Sequence, residues 1–182
     1  MQQLTAAVEA NAADPSAWWR LGQALQWVWE YEGHGSQGWR RAEAAFRNAA
    51  ELRPRRFAVP FRLRPESFDR IAEEALQSVP PVLAELLENT VIVARPLPAV
   101  EVVGEDGVDP DVLGLWTQSP AGTGGIEALG DGGFDAIELY QLNIENVCPD
   151  LRALHREIRA TVLHEVGHHF GLEHDELDEA GL

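Results

Sequence analysis

Residues His164 to His174 read HEVGHHFGLEH, which places three histidines, a glutamate and a glycine at the offsets of HExxHxxGxxH. Each fixed position has its own chemical task. On a helix, His164 and His168 stand four residues apart, so their imidazoles leave one face together and suit a single Zn²⁺ ion. Glu165 points beside that ion, where a carboxylate can take a proton from a water that the metal has acidified. Gly171 lets the backbone leave the helix in a conformation other residues resist. His174 can then turn back as a third ligand; on a continued helix it would point well away. An amphipathic helix with two solvated histidines also produces the bare HExxH. Five fixed positions together arise by chance in roughly one such chain in 10⁵, so the string reads as a zinc site with Glu165 as general base.

The helix that carries these residues is expected to start at Asp150, an N-cap that follows Pro149. Leu151, Leu154, Ile158, Val162, Val166 and Phe170 form its apolar stripe. At about 100° per residue, His164 and His168 fall on a flank of that stripe, with Glu157 and Thr161 above them. The helix is therefore half core and half metal site. His169 lies about 100° round from His168, near the middle of the stripe. It is expected to make a hydrogen bond in the core or behind the ligands, not to bind the same ion. His34 and His155 have no partner pattern and read as surface residues.

Elements that could position this helix lie upstream. Three β-like runs stand at Val91–Ala94, Val112–Thr117 and Ile137–Ile144. The third could offer a sheet edge to an extended peptide, and its Tyr140 is read mainly as a sheet residue, with an oxyanion donor as the weaker alternative. Ser119 to Gly133, with six glycines, reads as a surface loop. Phe68, Ile71, Ala72, Ala75 and Leu76 have helical spacing up to Pro80-Pro81, with Ser67 as the expected N-cap, and a second helix is expected to start at that proline pair and continue through Val82 to Asn89. Near the start, Trp18, Leu21, Gly22 and Leu25, then Ala42, Phe46, Ala49 and Pro54, have the spacing of a tetratricopeptide repeat with an insertion between its two helices. A plain helical hairpin with tryptophans in its core fits equally well. The boundary is placed in the Arg- and Pro-rich stretch, giving a helical segment 1–56 and a metal-binding domain 57–182.

Composition narrows the class. The chain has 182 residues, 45% of them hydrophobic, and a net charge of −16. All 14 basic residues are arginines. That balance excludes the basic face a nucleic-acid partner would need. Arg53, Arg55, Arg56, Arg62 and Arg64 crowd one stretch, which is expected to be a solvated linker folding back on acidic groups, with an acidic partner as the alternative. Cys148 is the single cysteine, so neither a disulfide nor a cysteine-based zinc site is expected. No signal peptide or membrane span is evident, and the protein is expected to be cytoplasmic.

Eight residues follow His174, too few for the distant glutamate ligand of thermolysin-type peptidases. Met1 is the sole methionine, which excludes the methionine turn of the metzincins. The third ligand is therefore expected among Glu173, His174, Asp175, Glu176 and Asp178; His174 is favoured by imidazole chemistry and offset, with Asp175 next. Carboxylates at Glu173, Asp175, Glu176, Asp178 and Glu179 crowd a helix C-terminus that is already negative, an arrangement that a nearby cation relieves.

With its flanks, the segment Arg159 to Gly181 (RATVLHEVGHHFGLEHDELDEAG) resembles the minimal-zincin family of bacterial metallopeptidase-like proteins. The run Phe68 to Asn89 is similar to that family's opening helices. The resemblance spans about Phe57 to the end and implies an α+β zincin-like fold, with a small sheet packed on helices and the HExxH helix completing the site. The third ligand in that family is typically Asp; the matching position here is His174.

Two functional readings follow. In the first, His164, His168 and His174 hold one Zn²⁺ and Glu165 serves as general base in peptide hydrolysis. In the second, zinc only stabilises an interaction module that binds protein partners through residues 1–56.

Overall fold

The computed structural model describes residues 2–33, 35–80, 84, 87, 90–104, 107–119, 134–169 and 171; the side chains of residues 118, 119, 134 and 169 lie outside that description. The sequence-based expectations for His34, for the helix Val82–Asn89 and for the glycine-rich segment 120–133 fall on residues wholly or largely outside it. The described chain is α+β, and it divides into two units.

The first unit comprises Met1–Arg62 and Glu145–Asp150. Helices α1 (Gln2–Ala10), α2 (Pro15–Glu32) and α3 (Ser36–Leu52) lie here, the last two in the places that the Trp18–Leu25 and Ala42–Pro54 spacing predicts. Helix α2 begins with Pro15 in its first turn, and the Asp14 carboxylate accepts from Ser16 N at 2.9 Å, an N-cap that satisfies one orphan amide. Val8, Leu21, Leu25, Ala42, Ala45 and Phe46 make the unit's core. Gly22 is required there: a Cβ at that position would lie 2.7 Å from the ring of fully buried Phe46, whose face is also met edge-on by Trp19 at 4.8 Å.

Two sets of polar side chains inside this unit are paired with each other. Gln26 is fully buried, and its amide exchanges hydrogen bonds with that of Asn146, at 2.8 and 3.4 Å. Arg62 bridges Glu43 at 3.0 Å and the buried Glu145 at 3.2 Å, with its guanidinium over the rings of Trp39 and Phe46. Of the arginine-rich stretch, Arg62 thus folds back on acidic groups, while Arg53, Arg55, Arg56 and Arg64 are exposed.

The second unit, Leu63–Ile144 with Leu151–Leu182, contains the sheet and the HExxH helix. Helix α4 (Pro65–Gln77) starts two residues before the expected Ser67 cap. Pro65 is the reason: its fixed φ and missing N–H suit the first helical position, so Arg64 becomes the N-cap without a side-chain bond. Strands β1 (Thr90–Arg95), β2 (Gly114–Ser119) and β3 (Phe134–Tyr140) form a sheet in the order β1-β3-β2, with β1 parallel and β2 antiparallel to β3. A short helix α5 (Val100–Gly104), not foreseen from sequence, follows β1.

The third β-like run ends earlier than its alternation implies. After Tyr140 the chain turns directly into helix α6 (Gln141–Val147). Three bonds account for this: Leu142 N donates to Pro96 O at 3.1 Å, and the Asn143 amide donates to Pro110 O and Val112 O at 2.8 and 2.7 Å. Residues 141–146 are buried whatever their polarity, so an apolar/polar alternation carries no information there. Helix α7 (Leu151–His169) follows immediately after Asp150 and packs on α4, β2 and β3. Its Leu154, Ile158, Val162 and Val166 are fully buried; Leu151, expected in the same stripe, is 43% exposed.

Two outcomes are expected. Replacing Gly22 by Ala gains about 1 kcal/mol of helix propensity but drives a methyl into an immobile ring, which costs about 1–3 kcal/mol. Chemical denaturation should show a net loss; a gain would mean that the Phe46 ring yields freely. On α4, burial and the neighbouring Glu73 and Glu66 raise the carboxyl pKa of Asp69. Between its unfolded and folded values the folded chain binds more proton, so stability rises as pH falls through that window. Asp69→Asn should therefore raise the melting temperature at neutral pH, with the gain fading as the medium is acidified through that window; a gain independent of pH would refute the charge origin.

Candidate metal and catalytic site

The site is built on the last two turns of α7. His164 is partly buried, His168 is exposed, and their rings meet edge-on with centroids 4.3 Å apart. The two Nε2 atoms converge to 2.8 Å. Two tetrahedral zinc ligands at about 2.0–2.1 Å from the metal lie roughly 3.3 Å from each other. A small ring rotation separates the two cases, so the imidazole pair fits one ion. The helix ends as the motif requires: Gly171 has φ +75°, and its N–H donates to His168 O at 3.0 Å. Beyond it, His174 and the acidic candidates Glu173, Asp175, Glu176 and Asp178 lie outside the described residues, as does the side chain of His169. Among the described residues, no three His, Cys, Asp or Glu side chains gather as a metal-holding group.

Glu165 points to a different neighbour. Its Oε2 accepts from the backbone N–H of Trp116 at 2.9 Å. Because Tyr140 N donates to Leu113 O, the odd-numbered residues of β2 bond to β3, and Trp116 directs its N–H to the opposite side. Glu165 therefore reaches the outward edge of β2. Burial pushes its carboxyl pKa up, against the opposing pull of the Trp116 N–H and the charge of His168. Its environment thus pulls both ways, with burial the larger influence.

Close approach of β2 to α7 makes that bond possible. A Cβ on Gly114 would stand 2.6 Å from Thr161 Cγ2 and 3.1 Å from Glu138 O. Thr161 in turn bonds its hydroxyl to Glu157 O, one turn back on the helix. None of this partnership was legible as a motif: a backbone N–H belongs to every residue type but proline, and Gly114 alone hinted at a close approach.

One sequence-based expectation needs correction. The run Ile137–Ile144 is not a sheet edge: β3 is the central strand, and the strand beside Glu165 is the edge strand β2. Tyr140 is fully buried and donates to Glu138 Oε2 at 3.1 Å, while Glu138 also pairs with Arg95 at 2.9 Å. Burial and the Glu138 carboxylate, with a smaller contribution from Glu165, hold that phenol far above its ordinary value, in keeping with the reading as a sheet residue. His155 is exposed on the first half of α7.

A family model described as zincin-like metallopeptidase matches residues 87–182, more than half of the chain's 182 residues. The chain belongs to the zincin-like metallopeptidase family. No curated protein matches it. The match takes in the whole sheet and α7, and the zinc-binding chemistry of zincins agrees with the imidazole pair; α1 to α4 lie outside the matched residues. No described helix is long and apolar enough to cross a membrane.

In this zincin-like unit, Gly114→Ala should cost about 1–3 kcal/mol by overpacking. Adding Thr161→Ser, which removes the obstructing methyl and keeps the hydroxyl, should restore part of it. Hydrogen exchange gives an independent measure: the Trp116 amide should lose protection in Glu165→Ala. Unchanged protection would mean that Glu165 does not hold this strand.

Proposed function

We propose that the chain is a zinc-dependent peptidase in which His164, His168 and His174 hold one Zn²⁺ and Glu165 is the general base. The observation that carries this reading is the division of labour on α7: two imidazole nitrogens converge, and the carboxylate between them in sequence is held at an adjacent strand edge. Zinc, when bound, would supply Lewis acidity toward water and a peptide carbonyl. Glu165 takes the proton from the attacking water and returns it to the departing amine. The Trp116 N–H keeps the carboxylate aimed and favours its ionised form, while burial favours the protonated form that the second transfer needs. An extended peptide would lie along the outward edge of β2, where Gly114 and Gln118 share the orientation of Trp116. We also assign the helices of residues 1–56 a tetratricopeptide-like role apart from the zincin-like domain 57–182.

The second reading, a zinc-stabilised interaction module, draws on the Trp27 and Tyr31 rings, which stack at 5.3 Å on α2 with Tyr31 43% exposed. Such amphipathic rings are common at protein interfaces. Kinetics separates the two readings. At equal zinc loading, Glu165→Gln should lower peptide hydrolysis by about 10²–10⁴-fold; equal rates would leave the interaction module. His174→Ala and Asp175→Ala, compared by zinc affinity, test the third ligand, and a larger loss from Asp175→Ala would displace His174 from that role.

A further inference from the structure

Helix α7 has a second functional face. At about 100° per residue, Thr161, His164, Glu165 and His168 occupy one arc of roughly 100°. On the opposite side of the same helix, Arg152, His155, Arg156 and Arg159 form a stripe at spacings of three and four residues, and all four are exposed. In a chain of net charge −16 such a run of basic side chains is unusual. Among the described residues, no carboxylate forms an ion pair with Arg152, Arg156 or Arg159.

The stripe borders a hollow between α7 and α4, of about 250 Å³. His155, Arg156 and Arg159 line one side, with Ser78 and Glu74 across from them and the buried Ile71 and Ala75 contributing apolar surface. Arg159 is already oriented: its Nη1 donates to Ser78 Oγ at 2.7 Å, and that hydroxyl donates onward to Ala75 O at 2.8 Å. The rest of its guanidinium fork and the whole of Arg156 remain available. Ligand pockets usually exceed about 300 Å³, so the hollow suits a small molecule. Two guanidinium forks and an imidazole match the several oxygens and double charge of a phosphate better than a carboxylate, which one arginine satisfies.

We propose that this hollow binds a small phosphate monoester, with its phosphate on Arg156, Arg159 and His155 and its carbon body on Ile71 and Ala75. The site is separate from the metal face. Glu74 opposes the anion and limits affinity.

The test is titration of the full-length zinc-loaded chain with phenyl phosphate and with inorganic phosphate at constant ionic strength, read from the His155 ring protons by NMR. These protons lie on the far side of α7 from His164 and His168, so binding at the metal face does not register as a His155 shift. A saturable shift is expected, several-fold tighter for phenyl phosphate because inorganic phosphate leaves the apolar surface uncovered. Arg156 makes no described bond within the fold, so Arg156→Gln should weaken binding about tenfold without unfolding the chain. Glu74→Gln should tighten it. Equal affinity for the two probes would overturn the ester assignment in favour of free phosphate. Absence of saturation, or Arg156→Gln binding like wild type, would overturn the site itself.

Discussion

One hydrogen bond, from the Trp116 backbone N–H to the Glu165 carboxylate, carries the geometry of the site. It ties the outward edge of β2 to the histidine-bearing face of α7 and converts a side chain with several free torsions into a fixed one. Its existence depends on sterics elsewhere: Gly114 must lack a side chain for the strand to pass Thr161. It also has an electrostatic consequence. A carboxylate this buried would be driven toward its neutral form by desolvation alone, and a backbone donor with a nearby imidazole offsets that drive. The ionisation of Glu165 thus depends on the main chain of a neighbouring strand.

Rotation of α7 about its axis is the second constraint. Consecutive residues on a helix point about 100° apart, so His164 and Glu165 leave the helix in different directions. Here the imidazole faces its partner at His168 and the carboxylate faces β2. Leu154, Ile158, Val162 and Val166, each fully buried, hold that rotation. Turning the helix by a few tens of degrees would detach the carboxylate from the strand and expose apolar surface in the same movement. The orientation of Glu165 and core packing are therefore one energetic requirement.

Legibility in the sequence followed the kind of information each feature carries. The α7 pattern could be read because ligand offsets and apolar spacing share the helical period. The three strands were visible as short apolar runs, and the helical hairpin as Ala/Trp spacing. Ser67 misled as a cap because Pro65 had already set the first turn. Residues 141–144 misled because burial on every side hides the difference between strand and helix; what decides it is Asn143 bonding to two carbonyls more than thirty positions upstream. The Trp116–Glu165 contact had no signature at all, since it joins a main-chain amide to a side chain 49 residues away.

Charge placement follows the same logic of position over composition. The chain is strongly acidic, yet its arginines are not spread evenly over the acids. Arg62 lies against a buried glutamate and two aromatic faces, and Arg95 against Glu138. Both serve carboxylates that would otherwise be left without a counter-charge in partly dry surroundings. The arginines at the start of α7 serve none of the described carboxylates, and their side chains project from the face opposite the histidines. A net charge of −16 would suggest repulsion of every anion; over the short screening length of physiological salt, about 8 Å, what a small ligand meets is the local stripe. The same helix can therefore present a histidine-bearing face at one end and an arginine-bearing face at the other.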